Sequence, residues 1–201
     1  ARTLIGRLGE PYETSAADIP EYLLPSMPAN QFGTFTRDEI QVRYVYVPVE
    51  VQPVDPLNPD KVVDPENPPV LTPDQGLLTI DFASSFEFDQ PLISANDATY
   101  YAKPQRLKAA DGTIDAGETR PNYVQVSDRR PTEDQGGWTL SVRQHEQFKT
   151  ADGEELTGAR LHLRNQQIAT TQGGTPPVLH HGDAVTLVPG QTQSMLTARE
   201  A

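Results

Sequence analysis

Residues 136–143 read Gly136-Gly137-Trp138-Thr139-Leu140-Ser141-Val142-Arg143, and this stretch decides the fold. After two glycines, apolar and polar residues alternate. In an extended chain this spacing puts Trp138, Leu140 and Val142 on one side and the polar residues on the other. The alternation predicts a β-strand with one buried and one exposed face.

Short stretches of the same kind recur along the second half of the chain. They lie at residues 78–82, 123–126, 160–164 and 184–188, and Phe86 and Phe88 extend the first. Turn-forming dipeptides separate them at 111–112, 152–153, 173–174 and 189–190. Short alternating strands divided by turns predict an all-β, antiparallel β-sandwich, with no helix longer than a turn or two.

Composition divides the chain into three segments. Residues 1–47 predict strands and turns, the clearest strand being 40–47. Residues 48–75 are rich in proline and acidic residues, which deny a sheet its amide donors and favour an extended interdomain linker over a PxxP ligand. We therefore expect a module at 1–47, an acidic Pro-rich linker at 48–75 and a sandwich domain at 76–201.

Charge and composition exclude several functional classes. The formal net charge is -12, whereas phosphate binding needs clustered basic residues, so we expect no nucleic-acid partner. The chain has no cysteine, which excludes disulfides and thiol chemistry. No stretch is long and apolar enough to span a bilayer, and the first residues lack a signal-peptide core. If the protein is secreted, we expect its export signal to lie outside this sequence.

Candidate catalytic and metal-binding residues lack the surroundings that such sites need. Ser141 and His145 have no nucleophile-elbow pattern around them. Residues 110–118 resemble the second half of an EF-hand loop, but Leu107 and Ala109 fall on two ligand positions. His180 and His181 point to opposite sides of an extended chain. We expect no catalytic residue, no cofactor and no metal site.

Four short stretches in the first segment resemble one family. They are 9–12 (Gly-Glu-Pro-Tyr), 19–22 (Ile-Pro-Glu-Tyr), 33–36 (Gly-Thr-Phe-Thr) and 44–46 (Tyr-Val-Tyr). Together they resemble the later part of a MucBP repeat, a β-grasp-like module of bacterial surface proteins. Glu21 stands where the family commonly has glycine. Because the family's opening strand is absent, we expect the chain to begin inside this module.

An ordered set of stretches from Gly76 onward resembles a second family. The set comprises 78–82 (Leu-Thr-Ile-Asp-Phe), 122–128 (Asn-Tyr-Val-Gln-Val-Ser-Asp), 137–142 (Gly-Trp-Thr-Leu-Ser-Val), 148–153 (Phe-Lys-Thr-Ala-Asp-Gly) and 156–159 (Leu-Thr-Gly-Ala). It resembles a WxL domain, the cell-wall-binding module of low-GC Gram-positive bacteria. Family members usually carry a second Trp-x-Leu near the C-terminus, so we expect this domain to be truncated at Ala201.

The WxL resemblance implies a secreted, non-catalytic protein of the Gram-positive cell wall. Its WxL-like domain would attach non-covalently to peptidoglycan, and the MucBP-like module would present toward host glycans. The alternative is a structural subunit whose WxL-like domain binds another cell-surface protein instead of a glycan.

The family motif supplies the candidate site residues, Gly137, Trp138, Thr139 and Leu140, together with Tyr123. Trp138 either stacks on a sugar or anchors a partner, or it fills the sandwich interior. The alternation with Leu140 and Val142 favours the interior. The binding surface would then lie on loops and outward faces.

Overall fold

Antiparallel β-pairing organises the chain, of which the computed structural model describes residues 2–71, 76–89, 96–171 and 175–199. Every strand pair in these ranges is antiparallel, and the helical element among them is a 3-10 turn at Thr132–Asp134. The predicted all-β antiparallel class is confirmed.

The strands of the described residues are short. In chain order they are β1 (Pro11–Glu13), β2 (Tyr22–Leu23), β3 (Phe32–Thr34), β4 (Val47–Pro48), β5 (Val54–Asp55), β6 (Asn58–Val62), β7 (Leu78–Ala83), β8 (Gln105–Lys108), β9 (Ile114–Arg120), β10 (Val124–Asp128), β11 (Trp138–Arg143), β12 (Leu161–Arg164), β13 (Val178–Leu179), β14 (Ala184–Leu187) and β15 (Thr192–Ala198).

The chain divides into two compact units that interleave along the sequence. Unit 1 comprises Ala1–Pro53, Asn67–Lys103 and Asn122–Arg129, and unit 2 comprises Val54–Glu66, Pro104–Pro121 and Arg130–Ala201. The division into segments at 47 and 75 stays a prediction.

Unit 1 contains the pairs β1-β3, β2-β4 and β10-β7. Phe82 of β7 is fully buried, and its ring lies 4.6 Å from that of Tyr123, centroid to centroid. The sequence pattern puts Ile80 on the same face as Phe82 and Asp81 on the opposite face. In the structure Ile80 is exposed and Asp81 is buried, so neither face of β7 is uniformly solvent-facing.

Unit 2 contains a sandwich of two sheets, whereas the predicted sandwich strands at 78–82 and 123–126 correspond to β7 and β10 of unit 1. One sheet has the order β11-β15-β13 and the other pairs β12 with β14. A cluster of Val185, Leu187 and Met195 joins them, with Val142, Leu161 and Leu163 packed against it. Opposite β11, the register of β15 skips Met195 between Leu196 and Ser194. Such a bulge re-aims a side chain, and here Met195 is buried in the cluster.

The described part of the Pro-rich range 48–75 corrects our expectation of a segment without sheet pairing. Strands β5 and β6 form a hairpin, and residues 64–66 pair with β8 through a bridge between Pro65 and Leu107. The flanking bonds run from Glu66 N to Arg106 O and from Lys108 N to Asp64 O, at 2.9 and 2.8 Å. Pro65 lies between them, where no amide donor is needed, so proline does not prevent the pairing.

The predicted strand at 40–47 is wrong. Only its last residue, Val47, belongs to a strand. The preceding residues keep alternating burial, and the hydroxyls of Tyr44 and Tyr46 bond to Thr14 Oγ1 and Ala17 O. High β-propensity gives an extended chain, but a strand also needs a neighbour that exchanges backbone hydrogen bonds.

Strands β8, β9, β13 and β15 were not predicted, because their sequences are too polar or too short to show an apolar alternation. Near Phe88 the structure has an isolated bridge to Ala102 and no continued strand. The predicted turn at 173–174 lies outside the described residues.

Candidate functional site

Strand β11 carries most of the predicted site. Trp138, Leu140 and Val142 are partly buried and the residues between them are exposed, which confirms the alternation inferred from the sequence. Val142 packs on the unit 2 core cluster. The apolar side of β11 therefore faces the interior of the sandwich.

The outer face of the sheet is polar where β11 and β15 pair. Thr139 lies opposite Thr197 and Ser141 opposite Ser194. The hydroxyl oxygens of Thr139 and Thr197 are 3.3 Å apart, and the Thr197 hydroxyl lies 2.8 Å from Nε2 of the exposed His180. Thr139, Thr197 and His180 thus form a hydrogen-bonded chain across the strands, which we call the hydroxyl row.

Gly137 and Trp138 mark the start of β11. Gly137 has a φ of 78°, which glycine adopts without a steric penalty. Its carbonyl accepts a bond from Arg130 Nη2 at 3.3 Å, and Trp138 then pairs with Ala198. This entry turn precedes the register in which Trp138, partly buried, lies opposite Ala198. The role of Trp138, either as a ligand contact or as a filler of the sandwich interior, stays a prediction.

Tyr123, the remaining motif residue, belongs to unit 1. It packs against Phe82, and its backbone is joined to Ser84 by bonds from Tyr123 N to Ser84 Oγ and from Ser84 N to Tyr123 O. The structure therefore places the five motif residues in two compact units. Tyr123 supports the β7-β10 pair within unit 1.

A second polar site in unit 1 was missed by sequence reasoning. Asp81 of β7 is 4% exposed. Its Oδ1 accepts a bond from Thr79 Oγ1 at 2.5 Å, and its Oδ2 accepts from Ser127 Oγ at 2.5 Å and Gln125 Nε2 at 3.1 Å.

Asp81 also lines a cavity of about 240 Å³. The other wall residues in the described ranges are Glu50, Val51, Pro53, Pro68, Pro69 and Leu71. The available signal was the carboxylate within the apolar run of residues 78–82. The period-two pattern placed Asp81 on the face opposite Phe82 and gave no indication of a cavity.

The other candidate residues have ordinary structural roles. Ser141 is an exposed member of β11 and lies opposite Ser194. Asp111 closes the β8-β9 turn by accepting bonds from the amide and hydroxyl of Thr113, which lower the pKa of its carboxyl group. Within the described ranges, no three His, Asp or Glu side chains are grouped so that they could hold a metal ion. The same ranges contain no helix long and apolar enough to cross a membrane.

Two family comparisons cover the chain. Residues 32–201 match the family described as WxL domain surface cell wall-binding, and residues 1–47 match the MucBP domain. The first match spans well over half of the chain.

Comparison with curated proteins finds two similar relatives. Internalin J of Listeria monocytogenes serovar 1/2a (strain ATCC BAA-679 / EGD-e) is 40% identical over 72 residues, which are 30% of this chain and 8% of the relative. Internalin J of serotype 4b (strain F2365) is 51% identical over 43 residues, which are 21% and 5%. The chain therefore spans less than a tenth of these relatives. No solved structure matches it significantly.

Proposed function

This chain belongs to the WxL family of surface cell wall-binding domains, and on that premise we propose that it attaches non-covalently to peptidoglycan and displays MucBP-type adhesion modules. Association with the Gram-positive cell surface follows from the family itself. The proposal adds the ligand, the secreted and non-catalytic character and the binding face.

The observation that carries the proposal is the hydroxyl row on the outer face of the β11-β15-β13 sheet. Thr139, Thr197 and His180 offer donors and acceptors on a sheet surface. Sugar hydroxyls need partners of this kind, because each is both a donor and an acceptor. Arg143 lies on the same side of β11 and adds a planar donor. We assign the glycan contact to this face.

Trp138 takes the supporting role in this arrangement. It lies on the opposite side of β11 from Thr139 and is partly buried. The side chain therefore holds the strand that presents the hydroxyl row. An exposed sugar platform would need the ring on the outer side.

A pull-down of the full chain with purified Gram-positive cell walls tests this function. The variant Thr139→Val/Thr197→Val removes two hydroxyls with little change in volume. We expect it to be captured about tenfold less well, since each neutral hydrogen bond contributes roughly 0.5–1.5 kcal/mol.

The other sandwich sheet supplies a matched control. Thr186 Oγ1 lies 2.8 Å from Nδ1 of the exposed His162, which is the same hydroxyl–imidazole pairing on a different surface. Thr186→Val should be captured like the unmodified protein. Equal capture of the double variant and the unmodified protein would rule out the hydroxyl row as the contact.

The same assay separates the alternative of a structural subunit. Walls stripped of protein should still retain the chain if peptidoglycan is the ligand. Retention by a partner surface protein, with none on stripped walls, would favour the subunit.

A further inference from the structure

We infer that the cavity beside Asp81 binds an aliphatic primary ammonium group, of the kind that a lysine-like residue of a wall peptide carries. This inference rests on the proposed peptidoglycan function and names a second ligand group for it. The cavity lies wholly within unit 1.

Asp81 is a buried carboxylate without a cationic partner among the groups that bond to it. Asp81 is 4% exposed, and the bonds that its carboxylate accepts come from neutral groups, namely Thr79, Gln125 and Ser127. A carboxylate offers about four acceptor positions, so three bonds leave capacity for one more. Buried carboxylates are normally paired with a cation or a metal ion. A guest ammonium would supply the missing positive charge.

The shape and lining of the cavity suit a lysine-like side chain. Its volume of about 240 Å³ lies below the roughly 300–1,000 Å³ typical of pockets for drug-sized ligands, and it suits a single side chain. Of the seven wall residues that the structure describes, five are valine, leucine or proline, which suit the methylene groups of a lysine-like stem.

Glu50 adds a second negative charge to the cavity wall. It is the second acidic wall residue and is exposed, whereas Asp81 is buried. Two carboxylates and no basic residue in the described wall disfavour a phosphate or carboxylate ligand and favour a cation. Glu50 would attract the ammonium group from solvent and Asp81 would receive it.

Nuclear magnetic resonance titration of the full chain provides a direct test. The probes are Nα-acetyl-lysine methylamide and Nα-acetyl-norleucine methylamide, which share a stem but differ in charge, and glucosamine. We expect saturable shifts of the Gln125 side-chain amide with the lysine probe and at least tenfold weaker binding of norleucine. Equal effects of the lysine and norleucine probes, or no saturable shift, would overturn the inference. Glucosamine binding as well as lysine would overturn the assignment to a peptide amine.

Variants distinguish a binding site from a structural carboxylate. Asp81→Asn should abolish lysine binding, but it also disturbs the bonds from Thr79, Gln125 and Ser127 within unit 1, so the decisive variant is one at Glu50. Glu50→Gln changes an exposed residue and should weaken lysine binding about threefold. Glu13→Gln alters an exposed carboxylate of β1 outside the cavity and should have no effect. Identical affinities of the Glu50→Gln and Glu13→Gln proteins would contradict the role of the cavity.

Cell walls with acetylated amines separate this inference from the proposed function. Capture of native walls with at least tenfold weaker capture of acetylated walls would support both. Equal capture of both kinds of wall would overturn the amine site and leave peptidoglycan binding intact. Failure to capture native walls would overturn the proposed function, and the probe titration would still decide whether the cavity binds an amine.

Discussion

Arg120 forms a bidentate ion pair with Asp55, which lies 65 positions earlier in the sequence. Arg120 Nε donates to Asp55 Oδ1 and Arg120 Nη2 donates to Asp55 Oδ2, each at 2.7 Å. The side chains are 12% and 4% exposed. Asp55 also accepts a bond from Leu57 N at 2.9 Å. This bidentate pair fastens the Pro-rich β5-β6 hairpin to the end of β9 within unit 2.

Removing the guanidinium group should destabilise unit 2. In Arg120→Met, Asp55 would be left buried without its cation, which typically costs roughly 3–5 kcal/mol. Urea unfolding followed by the fluorescence of Trp138, the only tryptophan, measures the loss. As a control, Lys103→Met removes the exposed pair between Lys103 and Asp89 and should change stability little. Equal midpoints for the two variants would contradict the importance of the Asp55–Arg120 pair.

The stabilisation by this pair should depend on pH. The hydrogen bonds from Arg120 lower the pKa of Asp55 below its ordinary value of 3.8, against the opposing effect of burial. The contribution is therefore complete above about pH 3.8 and is lost as the pH falls through the lower pKa of the folded state. In Arg120→Met, burial without the cation would instead favour the neutral carboxyl group. We expect the stability difference between the two proteins to be largest near neutral pH in parallel urea titrations. It should narrow as the pH falls, first through the raised pKa of Asp55 in Arg120→Met and then, below about pH 3.8, through the lowered pKa of Asp55 in the unmodified protein. A constant difference would exclude Asp55 as the titrating group.

Replacing Glu21 with glycine should destabilise the protein less than replacing it with alanine. It has a φ of 66°, in the left-handed region that favours glycine, and its carboxylate lies 3.2 Å from Arg129 Nη1. Both substitutions remove this ion pair, but only glycine relieves the backbone strain. We expect Glu21→Gly to unfold with a free energy about 1 kcal/mol higher than Glu21→Ala, measured by circular dichroism. The reverse order would show that the strain is not relieved at this position.

Trp138 should act mainly through folding. If it fills the interior side of β11, Trp138→Ala should lose roughly 3 kcal/mol of stability and lose wall capture in parallel. Trp138→Phe should retain most of both properties. Quenching of Trp138 fluorescence by acrylamide should change little when wall fragments are added. A stable Trp138→Ala protein that no longer binds walls would instead assign the ring to the ligand contact.

The backbone conformation of Glu21 accounts for the glycine that MucBP modules commonly have at this position. The sequence showed glutamate where the family commonly has glycine, and the structure shows the backbone conformation that glycine would adopt freely. Glu21 O also accepts a bond from Val49 N at 2.9 Å. Only the folded chain reveals that this strained residue is tied to Arg129 of β10's C-terminal flank.

The candidate site was predictable where its pattern is local. The alternation of β11 identified its inner and outer faces from six consecutive residues, and both faces are observed. The pairing of Thr139 with Thr197 was not predictable, because β15 is polar and shows no clear alternation. Its bulge at Met195 depends on how β15 packs against the core.

By itself the sequence determined that the chain is all-β and that β11 has one apolar face, because both follow from the period-two alternation of neighbouring residues. The order of its motifs showed the resemblance to WxL domains and, over residues 1–47, to MucBP modules. Only the tertiary structure decided that Pro65 pairs beside β8, that Arg120 reaches Asp55, and that Asp81 is buried at a cavity. Each of these depends on partners far apart in sequence. A local sequence pattern predicts which residues prefer burial or an extended backbone. The ion-pair or hydrogen-bond partner of a given residue depends on which distant segments meet in the tertiary structure.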